Sequence, residues 1–142
     1  MYNIFNDPAQ QEKFKQEGFA TLPALLNETE ITELKAIYLQ YTKGEVENSI
    51  YGMYVSIDEA DERKKLEMMK SIQQFLKPKL SKYLHDIKCH LGAFLVKVPN
   101  PNSYTYPHQD WLFVDNNAPE LFSATIWVSL EDIDIQTGSL GF

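Results

Sequence analysis

The sequence has one cysteine, Cys89, no long apolar run and no surplus of basic residues. A lone cysteine forms neither an intrachain disulfide nor a cysteine-rich zinc site, and it is typical of a reducing compartment. No stretch approaches the roughly 20 apolar residues that cross a bilayer, and the first residues lack the pattern of a secretory signal. We therefore expect a cytoplasmic protein with no membrane partner.

The charge balance argues against a nucleic-acid partner. The chain carries 20 acidic and 13 basic residues, for a formal net charge of −7. Its richest basic cluster, Arg63 to Lys65, directly follows a stretch rich in Asp and Glu. Binding to nucleic-acid phosphates needs clustered Lys and Arg, so we expect no nucleic-acid partner. The hydrophobic share of 44% is enough for a core, which excludes a wholly disordered chain.

The first half of the sequence has helical patterns. A polar stretch from Ala9 to Gln16 favours a helix that ends at Gly18. Asn27 and Glu30 have the spacing of a capping box, and the apolar positions that follow recur at helical intervals. Another helix is predicted from the charged stretch Asp58–Lys65 onward, with Pro78 bending it or splitting it from a last piece that reaches Leu84.

The second half is richer in strand patterns. An earlier strand is predicted within Ile50–Ile57, and three more are predicted at His90–Val98, Tyr104–Trp111 and Phe122–Leu130. Helices followed by strands indicate an α+β fold and not alternating βαβ units.

The local motif with the clearest chemistry is His108-Gln109-Asp110. On a strand, residues i and i+2 point to the same face, so the imidazole and the carboxylate would converge while Gln109 points away. These are two of the three ligands of the facial triad that binds non-haem iron(II). The motif alone is weak, because a surface strand with a hydrogen-bonded histidine has the same pattern.

Two other histidines, His85 and His90, could in principle be recruited as ligands. Both precede the motif, one on a predicted helix and one at a strand start. A lone histidine is more often satisfied structurally, and that interpretation is preferred for both.

Flanking segments give the motif a family context. Phe94 to Pro101 is a strand with a proline-rich turn, Pro107 precedes the motif and Trp111 follows it. Downstream lie the strand-like stretch Thr125–Asp134 and the turn Gly138-Ser139-Leu140. This arrangement resembles the phytanoyl-CoA dioxygenase family of iron(II)- and 2-oxoglutarate-dependent oxygenases. The resemblance extends to Phe14–Leu26 and is most specific from Phe94 to Leu140.

The resemblance implies a role for several residues. His108 and Asp110 match the first two iron ligands. Trp127 matches a residue that lines the 2-oxoglutarate pocket, Phe94 stands where another lining residue lies, and Gln109 matches the middle of the motif.

Two further assignments depend on position alone. Thr125 shares a predicted strand face with Trp127, so it is expected to reach the cosubstrate. Trp111 is a candidate for flanking the substrate entrance, although an aromatic residue on a strand more often belongs to the core or its rim.

The family pattern is not complete in this sequence. The third ligand, a downstream histidine, and the basic residue that clamps 2-oxoglutarate have no match here, nor has the family's Pro-Gly-Ser-His segment. We therefore expect residues 1–142 to be one incomplete domain, mainly helical over 1–88 and with the first core strands over 89–142. The implied fold is part of a double-stranded β-helix, a cupin-like jelly roll truncated before its later strands.

The implied function is hydroxylation of a small organic or acyl substrate with iron(II), 2-oxoglutarate and dioxygen. This chain alone is expected to be inactive, and its unpaired strands favour self-association. Two alternatives remain at this point: a truncated, non-catalytic remnant of the fold, and an unrelated metal- or ligand-binding β-barrel.

Overall fold

The computed structural model describes residues 3–45, 52–98, 106, 108 and 123–141. The chain divides into two compact units, Met1–Tyr104 and Thr105–Phe142. The expected single domain, mainly helical over 1–88 and with the first core strands over 89–142, stays a prediction.

The first unit contains three α-helices and two short strands among its described residues. In chain order they are α1 (Pro8–Glu17), α2 (Glu28–Thr42), β1 (Met53–Val55), a 3₁₀ turn (Ser56–Asp58), α3 (Glu62–Leu80) and β2 (Leu95–Lys97). This mixture confirms the α+β class, whereas the jelly roll remains a prediction.

Local signals explain where α1 and α2 begin and end. The side chain of Asp7 accepts the main-chain N–H of the second helical residue of α1, and Gly18 ends that helix in the left-handed conformation with φ 79°. In α2, the Asn27 side chain accepts the N–H of Glu30 and the Glu30 carboxylate accepts the N–H of Asn27, both at 2.9 Å. The predicted capping box is therefore confirmed.

Helix α3 begins at its own acidic cap and continues through a proline. The side chain of Asp61 accepts the N–H groups of Arg63 and Lys64. Pro78 lies in the last turn and the helix ends only at Leu80, so the predicted split is wrong. Pro78 lacks the N–H that would bond to the Gln74 carbonyl, so α3 loses one helical hydrogen bond there and still continues to Leu80. His85 consequently lies beyond α3 and not on a helix.

Strands β1 and β2 form an antiparallel pair with Met53 opposite Lys97 and Val55 opposite Leu95. Among the described residues the ladder joins three residues of each strand, whereas the sequence patterns predict longer strands. The core of the first unit lies among α2, α3 and the residues around this pair. Its buried apolar side chains are Phe5, Leu34, Tyr54, Met68, Ile72, Leu80 and Phe94.

The second unit has little regular structure among its described residues. Residues 123–129, where a strand is predicted, form neither helix nor strand within the described range. A strand is defined by its pairing, and no described segment pairs with these residues. The side chain of Asp134 accepts the N–H groups of Gln136 and Thr137 and builds a compact turn that ends near Gly138. Among the described helices, none is both long and apolar enough to cross a membrane.

Candidate functional site

His108 is oriented by a main-chain carbonyl. Its Nδ1 lies 2.9 Å from the carbonyl oxygen of Tyr106. A carbonyl oxygen only accepts hydrogen bonds, so Nδ1 is the protonated nitrogen in this contact. In the neutral ring the lone pair is then on Nε2, which is the nitrogen a metal ion would use.

The rest of the predicted motif lies outside the described residues. This applies to Gln109, Asp110 and Trp111. The convergence of His108 and Asp110 therefore stays a prediction. Within the described parts of the chain, no three His, Cys, Asp or Glu side chains come together as a metal-binding group.

Trp127 and Thr125 lie in the extended stretch of the second unit. The indole of Trp127 is 52% exposed, and Thr125 is also exposed. A half-exposed indole contributes less to packing than a buried one and keeps area available for contact with a bound molecule. Their predicted role at the cosubstrate stays a prediction.

Phe94 belongs to the first unit and is part of its core. The side chain is 6% exposed, and its ring meets the ring of Tyr38 edge-on at 5.5 Å between centroids. The Phe94 N–H donates to the Ser56 hydroxyl, and the Phe94 carbonyl accepts the Ser56 N–H, both at 2.9 Å. These contacts fix Phe94 firmly, whereas its predicted place in a 2-oxoglutarate pocket stays a prediction.

The two alternative histidines lie in the first unit. The main-chain N–H of His85 donates to the carbonyl of Ile4 at 2.9 Å. Both His85 and His90 have exposed side chains. Neither is part of a three-ligand group among the described residues.

Sequence reasoning missed a buried polar pair on the inner side of β1. Tyr54 and Ser56 are each 3% exposed. Their i, i+2 spacing within a predicted strand was the available signal, since such residues share a face. Burial, with the nearby Glu59 carboxylate, raises the pKa of Tyr54 to about 12.

Glu59 is itself paired with a cation. Its carboxylate lies 2.6 Å from the Lys64 ammonium, and the hydrogen bond from Lys64 lowers the pKa of Glu59. Among the described residues the buried Tyr54 hydroxyl has no hydrogen-bond partner of good geometry, although the Glu59 carboxylate is near enough to help raise the pKa of Tyr54.

Asp134 has a local role in the second unit. Hydrogen bonds from the main chain and hydroxyl of Thr137 are the largest causes that lower the pKa of Asp134. The Asp134 carboxylate therefore stabilises a turn. The neighbouring pair of acids, Asp132 and Asp134, is accordingly interpreted as part of this turn region and not as a metal site.

Comparison with protein families matches residues 14–142 to the model of phytanoyl-CoA dioxygenase (PhyH). The match spans about nine-tenths of the chain and defines a protein of the oxygenase kind. The chain belongs to the phytanoyl-CoA dioxygenase family. The family implies a cupin-like fold and is generally dependent on iron(II) and 2-oxoglutarate. No curated protein and no solved structure matches the chain.

Proposed function

We propose that this chain contributes to the active site of an iron(II)- and 2-oxoglutarate-dependent oxygenase that hydroxylates a small organic or acyl substrate. Membership of the phytanoyl-CoA dioxygenase family supports the reaction class. The observation that carries the site is the contact between His108 and the Tyr106 carbonyl.

The donor chemistry fits iron(II). One imidazole nitrogen and one carboxylate oxygen, from His108 and Asp110, are ligand types found in the facial triad of non-haem iron oxygenases. Ligating histidines usually donate their second ring N–H to a carbonyl or carboxylate, which sets the tautomer and the ring orientation. The Tyr106 carbonyl is placed to do this for His108. When bound, iron(II) with 2-oxoglutarate and dioxygen supplies the oxidising chemistry.

The protein's residues bind and position the reactants. His108 and Asp110 would hold the metal, and Gln109 is the residue between them in the motif. In the second unit, the indole of Trp127 and the hydroxyl of Thr125 would contact 2-oxoglutarate, whereas the lining role that the resemblance implies for Phe94 stays a prediction. Trp111 borders the substrate. The hydrophobic rings would also exclude water from the reacting atoms, which protects an oxidising site from side reactions.

Further proposals concern the fold, the partners, the localisation and the behaviour of the chain. The core of the protein is a jelly roll to which the second unit contributes strands. Its partners are a small-molecule substrate and dioxygen, and its location is the cytoplasm. The chain by itself turns over no 2-oxoglutarate, because its sequence matches only two of the three family ligands. Strands without partners would pair with a second copy of the chain.

Anaerobic titration with iron(II) in the presence of 2-oxoglutarate tests the proposal. We expect the weak visible charge-transfer band of an iron–2-oxoglutarate complex with the wild-type chain. His108→Ala should remove this band, whereas His90→Ala, a change at an exposed histidine of the first unit, should retain it. Absence of iron binding by the wild-type chain would contradict the proposal, as would an unchanged band in His108→Ala. Iron binding without succinate formation in air is the outcome that the proposal predicts for this chain, whereas the non-catalytic alternative predicts that the wild-type chain does not hold iron tightly.

A further inference from the structure

The segment that precedes the family match is built into the first unit. The match begins at residue 14, yet Phe5 is 7% exposed and its ring lies 5.4 Å from that of Phe14. Residues 3–11 are here called the N-terminal clasp.

The clasp pairs with the loop that follows α3. The Asn6 N–H donates to the Tyr83 carbonyl at 2.7 Å, and the His85 N–H donates to the Ile4 carbonyl at 2.9 Å. Between these two bonds, Phe5 and Leu84 form an isolated antiparallel bridge. An extended segment that exchanges main-chain hydrogen bonds in both directions is the smallest form of strand addition.

Two side chains secure this pairing. The Asn6 amide donates to the carbonyls of Ser81 and Lys82 at 3.3 and 3.0 Å, just past the end of α3. Both carbonyls lie beyond Leu80, the last residue of α3, so they are outside its helical hydrogen-bond ladder. From the other side, the buried Gln11 side chain accepts the N–H groups of Ile4 and Phe5 at 2.7 and 3.1 Å, so α1 keeps the segment extended.

We infer that the clasp and residues 81–85 open and close together as one local unit. The clasp thereby controls the access of a protease to the chain after α3. The contacts that join the two segments are separate from the β1–β2 ladder and from the α2–α3 packing. Local openings of this kind involve contiguous groups of residues that share hydrogen bonds. The inference does not depend on the proposed oxygenase function.

Limited trypsin digestion of the full-length chain tests the inference, with cleavage after Lys82 as the readout. Asn6→Ala and Asn6→Asp both remove the amide donor at an exposed position, so both variants should fold. We expect cleavage after Lys82 to become about five- to thirtyfold faster, because each of the two lost hydrogen bonds, at about 1 kcal/mol, corresponds to about a fivefold change in the population of the open form. The His85 amide hydrogen should exchange with solvent faster by a similar factor.

Two controls make the result specific. Asn3→Ala changes an exposed asparagine of the same segment and should leave cleavage after Lys82 unchanged. Cleavage after Lys43, at the end of α2, should keep its wild-type rate in all variants. Equal rates after Lys82 in the Asn6 and Asn3 variants would overturn the inference. Parallel acceleration after Lys43 would also overturn it, because the first unit would then open as a whole.

Discussion

Replacing Tyr54 by phenylalanine should not weaken the fold, although Tyr54 is among the most buried residues of the chain. The side chain is 3% exposed, and no described group forms a hydrogen bond with its hydroxyl. A buried hydroxyl without a partner costs about 1–3 kcal/mol, and the nearby Glu59 carboxylate offsets part of this cost. We expect Tyr54→Phe to raise the free energy of unfolding by about 1 kcal/mol near neutral pH.

Alkaline pH should increase the difference in free energy of unfolding between Tyr54→Phe and the wild type. The pKa of Tyr54 is raised from 10.0 to about 12, chiefly by burial. The unfolded chain therefore loses this proton first, and the contribution of Tyr54 to stability is present below pH 10 and is lost between pH 10 and about 12. The loss corresponds to about 2–3 kcal/mol. The phenylalanine variant lacks this titration, so its advantage over wild type should increase in that range.

Tyr41→Phe is the matched control. The Tyr41 hydroxyl lies 3.1 Å from the Ser71 hydroxyl, and its loss should lower the free energy of unfolding by about 0.5–1.5 kcal/mol. Urea unfolding followed by far-ultraviolet circular dichroism, at about pH 7 and in steps up to about pH 11.5, measures all three proteins. A Tyr54→Phe variant less stable than wild type by more than about 1 kcal/mol would show that the Tyr54 hydroxyl stabilises the fold. Parallel alkaline profiles of the variant and wild type would show that Tyr54 does not titrate with a raised pKa.

Three further outcomes are expected. The free energy of unfolding should fall below about pH 4.5, because the Asn27 N–H and Lys79 lower the pKa of Glu30 in the folded chain. Glu30→Gln should make the free energy of unfolding less dependent on pH in this acid range. An unchanged pH dependence in the variant would contradict this expectation. His108→Gln, which keeps a ligand atom near the Nε2 position, should retain more iron(II) affinity than His108→Asn in equilibrium dialysis; the reverse order would argue that Nδ1 binds the metal. Trp127→Ala should weaken 2-oxoglutarate binding and change the free energy of unfolding by less than about 1 kcal/mol, since the indole is 52% exposed. A purely structural role of Trp127 predicts a lower free energy of unfolding with unchanged 2-oxoglutarate binding.

Features set by neighbouring residues could be predicted from the sequence. The capping box of Asn27 and Glu30 and the left-handed Gly18 depend on residues within a single helical turn, so their patterns were sufficient. The family could also be predicted, because the motif segments occur in the expected order along the chain.

Features that depend on distant partners could not be predicted. The bonds between Ser56 and Phe94 and the bridge between Phe5 and Leu84 join segments separated by dozens of residues. Periodicity indicates a strand but not its partner, so β1 and β2 are shorter than their patterns suggested. The split predicted at Pro78 is wrong for a related reason: a proline removes one hydrogen bond to the residue four positions earlier, and whether the helix continues past it depends on packing with distant residues.

The most direct test of the proposed metal centre is iron(II) binding by Asp110→Ala compared with Asp132→Ala. Asp132 is an exposed acid of the same unit and is not proposed as a ligand. Anaerobic equilibrium dialysis with 2-oxoglutarate should show at least about tenfold weaker iron(II) binding for Asp110→Ala and wild-type binding for Asp132→Ala. Equal iron(II) affinity in the two variants would contradict the assignment of His108 and Asp110 as the metal ligands.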